Sequence, residues 1–286
     1  MTPCQEDWLY AFSIANQSVF ITANSQIYRS DIEKFVRLYA AAKDGNERIE
    51  FDFLSNGQQQ YLILNGQQEL WQCDDAQEIV AAFEIQLYTQ IIQNIYPKFL
   101  SLHAGCVAYG DEAWMFAGQS GAGKSSLTTA ALLSGCRYMT DEFSLLNEHG
   151  KISPMPRPMQ WDDIEHPAFD HEMMLKSGVF ERAFFTFLDY QGEKVRLQLW
   201  LPKLMEHRDL PLARLLFPRF DATAAAAELT TLRRSEALME LPQHFHQSIL
   251  PSERVKALNR RLPLDLKCFR LVFSDVHAAW RCLSEA

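Results

Sequence analysis

The sequence has no excess of basic residues. Its 27 lysines and arginines are outnumbered by 36 aspartates and glutamates, which gives a formal net charge of −9. Nonspecific binding to nucleic acid requires a basic surface that displaces counterions from the phosphates. The composition therefore argues against DNA or RNA as a partner.

Long hydrophobic runs are also missing. Charged or polar residues interrupt every apolar stretch well before the roughly 18–20 residues that span a bilayer. Residues 1–17 lack the basic start and apolar core of a signal peptide. We therefore expect a soluble, cytoplasmic protein with no membrane partner.

The cysteine patterns of metal sites are absent as well. No C-x-x-C pair and no Cys/His cluster of zinc spacing occurs. We interpret the six cysteines as reduced structural thiols: Cys4, Cys73, Cys106, Cys136, Cys268 and Cys282.

The first part of the chain has the pattern of a small α+β unit. Strand-like runs alternate with one helical stretch near residues 31–42, and these runs lie at residues 9–14, 19–23, 48–53 and 60–64. Apolar residues then recur at spacings of three and four over residues 76–96, which predicts a long amphipathic helix. We place a small N-terminal unit at residues 1–75 and a catalytic domain at residues 76–286.

A phosphate-binding motif lies early in the second region. Residues 118–125 match the pattern G-x-x-x-x-G-K-[ST], after a strand-like run at 113–117 and before a helix-prone run at 126–133. Glycines let the backbone curl so that its N–H groups face inward, and a helix N-terminus adds positive charge. The predicted binding residues are Gly118, Gln119, Ser120, Gly121, Ala122, Gly123, Lys124, Ser125 and Ser126. In this motif the lysine, Lys124, contacts the β- and γ-phosphates, and the hydroxyl of Ser125 binds Mg²⁺.

Two acidic residues are predicted to lie beside this loop. The helix should end at Gly135, and residues 137–140 should return as the next parallel strand. Asp141 and Glu142 then emerge at the same sheet edge as the loop, where open α/β sheets place their chemistry. Such a pair can hold Mg²⁺ and accept a proton from an incoming hydroxyl.

Register counting adds two candidates. A hairpin around residues 110–111 pairs Tyr109 with Glu112 and brings His103 opposite Gly118. A second short loop at residues 148–150 brings Arg157 opposite Asp141, where it can contact phosphate or an acidic substrate. The alternatives are a structural histidine and an ordinary surface arginine.

Further along the chain, strands are predicted at residues 195–201, 212–217 and 269–273. Residues 221–241 are predicted to be helical, with Asp221 as the N-cap. Arg219 is a second candidate contact for a charged substrate.

These motifs resemble the HPr kinases and, more closely, the shorter kinases related to them. The shared segments are LHAG (102–105), AGQSGAGKSS (117–126), TDE (140–142), PMPRP (154–158) and, less sharply, FPRF (217–220). The resemblance covers about residues 83–280 and implies an α/β, phosphoenolpyruvate-carboxykinase-like nucleotide-binding fold. HPr kinase has two aspartates where this chain has Asp141 and Glu142, so the resemblance does not extend to HPr as the substrate.

The resemblance implies transfer of phosphate from ATP to a serine or threonine hydroxyl of a peptide or small protein. It implies His103 and Asp141 near the reacting groups, Asp141 as the base, and Mg²⁺ held by Ser125 with an acid such as Glu142. The chain departs from the related group after residues 154–158, where that group usually has a lysine and this chain has an acidic stretch at residues 162–165. We interpret this stretch as part of a substrate loop limited by Pro167. HPr kinase forms oligomers, so a homo-oligomer is considered, although nothing in this sequence sets a subunit number.

Two other functions stay open at this point. One is a kinase of a small metabolite; the other is a nucleotide-binding module that transfers no phosphate. The donor is also open between ATP, another nucleotide and pyrophosphate.

Overall fold

The computed structural model describes residues 8–42, 47–56, 60–160, 166, 168–188 and 193–286. Over these residues the chain is a mixture of α-helices and β-sheets, as the sequence predicts. Cys4, the acidic stretch at residues 162–165 and Pro167 lie outside the described residues. Every cysteine within them is a free thiol. Nowhere in this described part is a helix both long enough and apolar enough to cross a lipid bilayer.

The chain forms two compact units. The first contains the residues up to Asn94 together with Arg182–Leu199, and the second contains Ile95–Glu181 and Trp200–Ala286. The boundary predicted between residues 75 and 76 differs from this division, because the long helix that follows belongs to the first unit.

The first unit is built on one mixed sheet. Its elements are β1 (Trp8–Ile14), β2 (Gln17–Ala23), α1 (Arg29–Val36), β3 (Ala40–Ala41), β4 (Glu47–Ser55), β5 (Tyr61–Asn65), β6 (Gln68–Cys73) and α2 (Ile79–Asn94). The strand order is β3-β1-β2-β4-β5-β6, with β2 and β4 parallel. Phe83 of α2 lies at the centre of the core, with its ring centroid 5.0 Å from that of Phe51 and 5.5 Å from that of Phe35.

Two helices of this unit differ from their predictions. The helix predicted near residues 31–42 ends at Val36, because Ala40 and Ala41 pair with β1 instead. The long helix is confirmed, but its first turns are buried on all sides, including the side chain of Glu84. Only its second half, from Ile85 onward, has an exposed face, as an amphipathic helix does.

The second unit begins with a hairpin and the predicted glycine-rich loop. Its first elements are β7 (Phe99–Tyr109), β8 (Glu112–Ala117), α3 (Lys124–Leu133), β9 (Arg137–Thr140), β10 (Phe143–Asn147), β11 (Lys151–Ser153) and α4 (His171–Lys176). Next along the chain comes the two-stranded ribbon of β12 (Phe180–Leu188) and β13 (Lys194–Pro202), most of which belongs to the first unit. The remaining elements are β14 (Leu210–Phe220), β15 (Glu228–Leu232), α5 (Arg234–Glu240), α6 (Pro251–Arg261), β16 (Lys267–Phe273) and α7 (Val276–Ser284).

Strand β7 organises the sheet of the second unit. One edge of β7 pairs with β8, and the other edge pairs in succession with β9 and β10, all antiparallel. On the other side of β8 the sheet continues with β14 and then β16, which both run parallel to β8. The short strand β11 pairs with both β10 and β14. β9 therefore runs parallel to β8, as predicted, but β7 lies between the two strands.

The side chains of β7 alternate between two cores, as a strand covered on both faces requires. Leu102, Ala104 and Cys106 belong to a cluster that includes Leu258 of α6. Val107 belongs to the opposite cluster, with residues of α3 and α7. The glycine-rich loop and α3 thus lie on the α7 face of this sheet.

The helix predicted over residues 221–241 is wrong. Residues 228–232 form β15, which pairs antiparallel with β16, and only residues 234–240 form the helix α5. Asp221 does not cap a helix; its Oδ1 accepts hydrogen bonds from the backbone N–H (3.0 Å) and hydroxyl (2.6 Å) of Thr223 in a turn. The pairing of residues 228–232 with β16 therefore outweighs the helix propensity of the preceding alanine-rich run at residues 222–227.

A buried carboxylate stabilises the second unit away from the loop. Glu206 is 4% exposed, and its Oε2 lies 2.6 Å from Arg137 Nη2 and 2.9 Å from Arg208 Nη2. Burial alone raises the pKa of Glu206, but the hydrogen bonds from Arg208 and Arg137 lower it to about 2. Its stabilising effect is therefore complete above the unfolded-state pKa and is lost as the pH falls toward the folded-state value.

The substitution Glu206→Gln should lower the free energy of unfolding by about 2 kcal/mol near neutral pH, the size typical of a charged hydrogen-bonded pair. The difference between variant and wild type should shrink between about pH 4.5 and pH 2, and urea unfolding measured across this range checks it. The exposed Glu228→Gln serves as the control. A difference that does not change with pH would show that the charge is not its source.

Candidate active site

The glycine-rich loop connects β8 to α3. Gly121 and Gly123 have φ angles of +76° and +96°, in the left-handed region that favours glycine. At Gly123 a Cβ atom would lie 2.6 Å from Cζ of Phe273, so a larger residue does not fit there. The first helical hydrogen bond of α3 runs from the N–H of Leu127 to the carbonyl of Gly123, at 3.0 Å. The helix therefore begins at the loop, as predicted, and its first N–H groups have no partner within the helix, which is the feature that lets a helix N-terminus attract an anion.

Lys124 lies against the loop itself. Its ammonium group donates to the carbonyl oxygens of Gly118 (2.8 Å) and Gln119 (3.0 Å). An ammonium has three donors, so one is left for a phosphate oxygen. Burial lowers the pKa of Lys124, and the charges of Asp141 and Glu142 oppose this change.

The two acidic residues occupy a break between β9 and β10. Both strands pair with β7, and the N–H of Ala104 donates to the carbonyl of Glu142 at 3.1 Å across the break. The hydroxyl of Thr140 accepts hydrogen bonds from the N–H groups of Glu142 (3.3 Å) and Phe143 (3.0 Å). A side chain that accepts two backbone donors in this way stabilises the turn. The turn holds both acids beside the loop, as the sequence predicts.

Asp141 is the buried member of the pair, at 8% exposure. Its Oδ1 makes no hydrogen bond with any residue that the structure describes. Burial raises the pKa of Asp141 to about 6; the Ser125 hydroxyl opposes this change and the charge of Glu142 adds to it. Gly105 of β7 lies close to α3 beside this side chain: a Cβ atom there would lie 2.7 Å from Oγ1 of Thr128 and at ordinary contact distance, 3.4 Å, from Oδ1 of Asp141.

Glu142 is more exposed and is paired with His103. The side chain of Glu142 is 31% exposed, and its Oε1 lies 3.2 Å from Nε2 of His103. Burial alone would raise the pKa of Glu142, but the hydrogen bond from His103 and the charge of Arg157 lower it overall. The carboxylate is therefore ionised near neutral pH.

The position of His103 agrees with the register argument. Tyr109 pairs with Glu112, as predicted, and the ladder ends with Ala104 opposite Ala117. His103 then stands level with Gly118, at the edge where the loop leaves the sheet. It lines the same cavity as Lys124 and both acids.

The two candidate arginines have different positions. Arg157 lines the cavity, with its guanidinium carbon 6.0 Å from the ring centroid of Phe143. The ladder between β10 and β11 ends at Ser153, since the prolines that follow cannot donate to it. Arg219 is not among the residues that line the cavity; its side chain is 70% exposed and lies 3.5 Å from Asp221. Its contact with a charged substrate stays a prediction.

One cavity of about 840 Å³ joins these groups. Its volume lies within the roughly 300–1,000 Å³ typical of small-molecule sites. Beyond the predicted residues it is lined by a second set near α7, which sequence reasoning missed: His166, Ala168, Phe220, Phe273, Ser274, Asp275, Val276 and His277. No local signal in the sequence connects these residues to the loop. Strand β14 brings Phe220 there, and β16 brings Phe273 and the residues that follow it.

A histidine that the sequence analysis missed lies behind the acids. His246 Nε2 is 3.2 Å from the carbonyl oxygen of Glu142. Its ring centroid is 5.6 Å from that of His103 and 4.8 Å from that of Phe143. His246 is not among the residues that line the cavity.

The cavity offers few side-chain donors for the predicted Mg²⁺ ion. Among the described residues, no three His, Cys, Asp or Glu side chains converge as a metal site. A phosphate loop needs fewer protein ligands, because its Mg²⁺ is held by one hydroxyl, one carboxylate and the bound phosphates. Ser125 and the buried, unpaired Oδ1 of Asp141 fit that donor set.

The chain was also compared with known proteins. No protein-family model matches it, and a search of curated proteins found no match.

Proposed function

We propose that this protein is an ATP-dependent kinase that phosphorylates a serine or threonine hydroxyl of a peptide or small protein. One observation carries the proposal: a G-x-x-x-x-G-K-S loop at the start of α3 shares a cavity with two carboxylates and a histidine. Phosphoryl transfer depends mainly on positioning and charge neutralisation, which such a set supplies. We also propose that the chain is related to the HPr-kinase-related group. Its proposed location is the cytoplasm, where ATP is available.

The aromatic lining of the cavity beside the glycine-rich loop supports a nucleotide as the phosphate donor. Phe220 is 50% exposed and lines the cavity beside Phe273, with the two ring centroids 6.0 Å apart. Its N–H also donates to the carbonyl of Ala122 in the loop, at 3.2 Å. An exposed aromatic ring beside the phosphate loop suits a nucleobase. Pyrophosphate has no group to fill this end of the cavity.

The surroundings of the two acids support different roles for them. Asp141 is buried beside the Ser125 hydroxyl, which suits a shared ligand of Mg²⁺. Glu142 is ionised, more exposed and paired with His103, which suits a base that faces the acceptor. This assignment reverses the one implied by the family resemblance, in which Asp141 is the base and Glu142 binds the metal.

In the proposed reaction the acceptor oxygen attacks the γ-phosphorus of ATP. Its proton passes to the carboxylate of Glu142, while the bond from the γ-phosphorus to the β,γ-bridging oxygen breaks and ADP leaves. Lys124 and the loop N–H groups balance the charge on the phosphates. Bound Mg²⁺ would supply further charge neutralisation at the β- and γ-phosphate oxygens.

Asp141→Asn and Glu142→Gln test these roles, with the exposed Glu112→Gln as the control. Asp141→Asn should weaken ATP binding about tenfold or more with Mg²⁺ and little without it. Glu142→Gln should bind ATP normally but transfer phosphate at least about a hundredfold more slowly, as expected for loss of a general base. The measurements are ATP titrations with and without Mg²⁺, and transfer from γ-labelled ATP to a library of serine and threonine peptides.

Three outcomes would change the proposal. If the two variants exchange phenotypes, Asp141 is the base. If label reaches compounds of a metabolite extract but no peptide, the protein is a metabolite kinase. If ATP binds and no label moves from it, the protein is a nucleotide-binding module.

A further inference from the structure

The segment that carries His246 is attached to β7. After the short 3₁₀ turn Leu241–His244, Phe245 forms an antiparallel bridge with Leu102. The N–H of His246 donates to the carbonyl of Ser101 at 3.0 Å. This segment thus runs along the same strand that carries His103.

Gln247 strengthens this attachment. It is 7% exposed, and its side-chain oxygen accepts from the N–H of Ser101 at 3.0 Å. Its amide nitrogen donates to the carbonyl of Phe99 at 3.1 Å. A buried amide with both of its functions satisfied by backbone holds a segment rigidly.

The bond from His246 to Glu142 has a defined direction. A carbonyl oxygen can only accept, so Nε2 of His246 carries the proton. The same carbonyl accepts from the N–H of Ala104 at 3.1 Å. The carbonyl of Glu142 is therefore held by two donors, one from β7 and one from His246. The His246 ring also lies near the rings of His103 and Phe143.

We propose that His246 is a positioning residue of the site. By donating to the Glu142 carbonyl and packing against the His103 ring, it holds the Glu142 carboxylate and the His103 imidazole in contact on the cavity side. It acts through these two residues, because it does not itself line the cavity. The inference rests on the proposed kinase function, in which Glu142 is the base.

The test compares His246→Phe, which keeps a ring but loses the donor, with His246→Gln, which keeps a donor. The exposed His149→Phe is the control. In His246→Phe the kcat should fall about tenfold, as for one lost hydrogen bond that positions a base, and the KM for ATP should change less than about twofold. His246→Gln should restore kcat to within about threefold of the wild type.

A second readout does not depend on catalysis. Hydrogen exchange at the Ala104 amide reports on the bond to the Glu142 carbonyl. It should be about tenfold faster in His246→Phe and near wild type in His246→Gln. If the wild type transfers no phosphate, the kinase proposal fails while this exchange still decides the positioning role.

Two results would overturn the inference. One is an unchanged Ala104 exchange rate in His246→Phe, because the donor would then not hold the turn. The other is a His246→Gln variant as slow as His246→Phe, because the imidazole itself would then be required.

Discussion

Replacing Lys124 with alanine should slow phosphoryl transfer by about a hundred- to a thousandfold, the loss typical of one preorganised charge at a reacting group. Lys124 is the one lysine that lines the cavity among the described residues, and it is only 7% exposed. Its removal also deprives the carbonyls of Gly118 and Gln119 of their donor. Initial rates with γ-labelled ATP and the ATP dissociation constant measure the effect.

Lys151→Ala is the matched control, because this lysine is exposed on β11. It should keep the wild-type rate and affinity. Lys124→Arg keeps the charge but not the compact ammonium, and it should recover only part of the rate. A Lys124→Ala variant that keeps more than about a third of the wild-type rate would contradict the proposed role of the loop.

Gly105→Ala should both destabilise the protein and impair the site. The added Cβ would lie 2.7 Å from Oγ1 of Thr128 and 3.4 Å from Oδ1 of Asp141. Gly105 lies in β7 and Thr128 is fully buried in α3, so neither backbone can move easily. We expect a loss of about 1–3 kcal/mol in the free energy of unfolding, as for other overpacked cores. Because Thr128 lies in the same helix as Lys124 and Ser125, a shift of α3 should also slow transfer at least about tenfold.

Thr128→Ala provides the second site for a double-mutant cycle. It removes the atom nearest to the new methyl group, so the double variant should be more stable than the sum of the single effects by about 1 kcal/mol or more. Urea unfolding of the four proteins measures this coupling. Additive effects would show that the clash with Thr128 is not the cause.

Local signals predicted the centre of the site well. The β7–β8 hairpin, the start of α3 at Lys124 and the left-handed Gly135 at its end are all as expected. Each of these features depends on contacts between residues within about ten positions of one another. Such contacts can be derived from spacing and residue type.

The helix predicted over residues 221–241 is wrong for the opposite reason. The composition of this region favours a helix, but residues 228–232 pair with β16, whose residues are about forty positions away in the sequence. Backbone pairing over that distance leaves no periodic signal in the residues themselves. The same holds for Phe220 and Phe273, which only the parallel pairing of β14 with β16 brings together.

The sequence by itself determined the glycine-rich loop, the helix that follows it and the position of the adjacent acids, because local backbone preferences specify a glycine turn and a helix start. Tertiary structure decided which acid is buried and which is paired with a histidine. Asp141 and Glu142 are neighbours in the turn between β9 and β10, but the fold places different partners beside their side chains. One therefore packs beside Ser125 and the other beside His103. Only the folding of residues 245–247 onto β7 places His246 against a carbonyl 104 positions earlier in the chain.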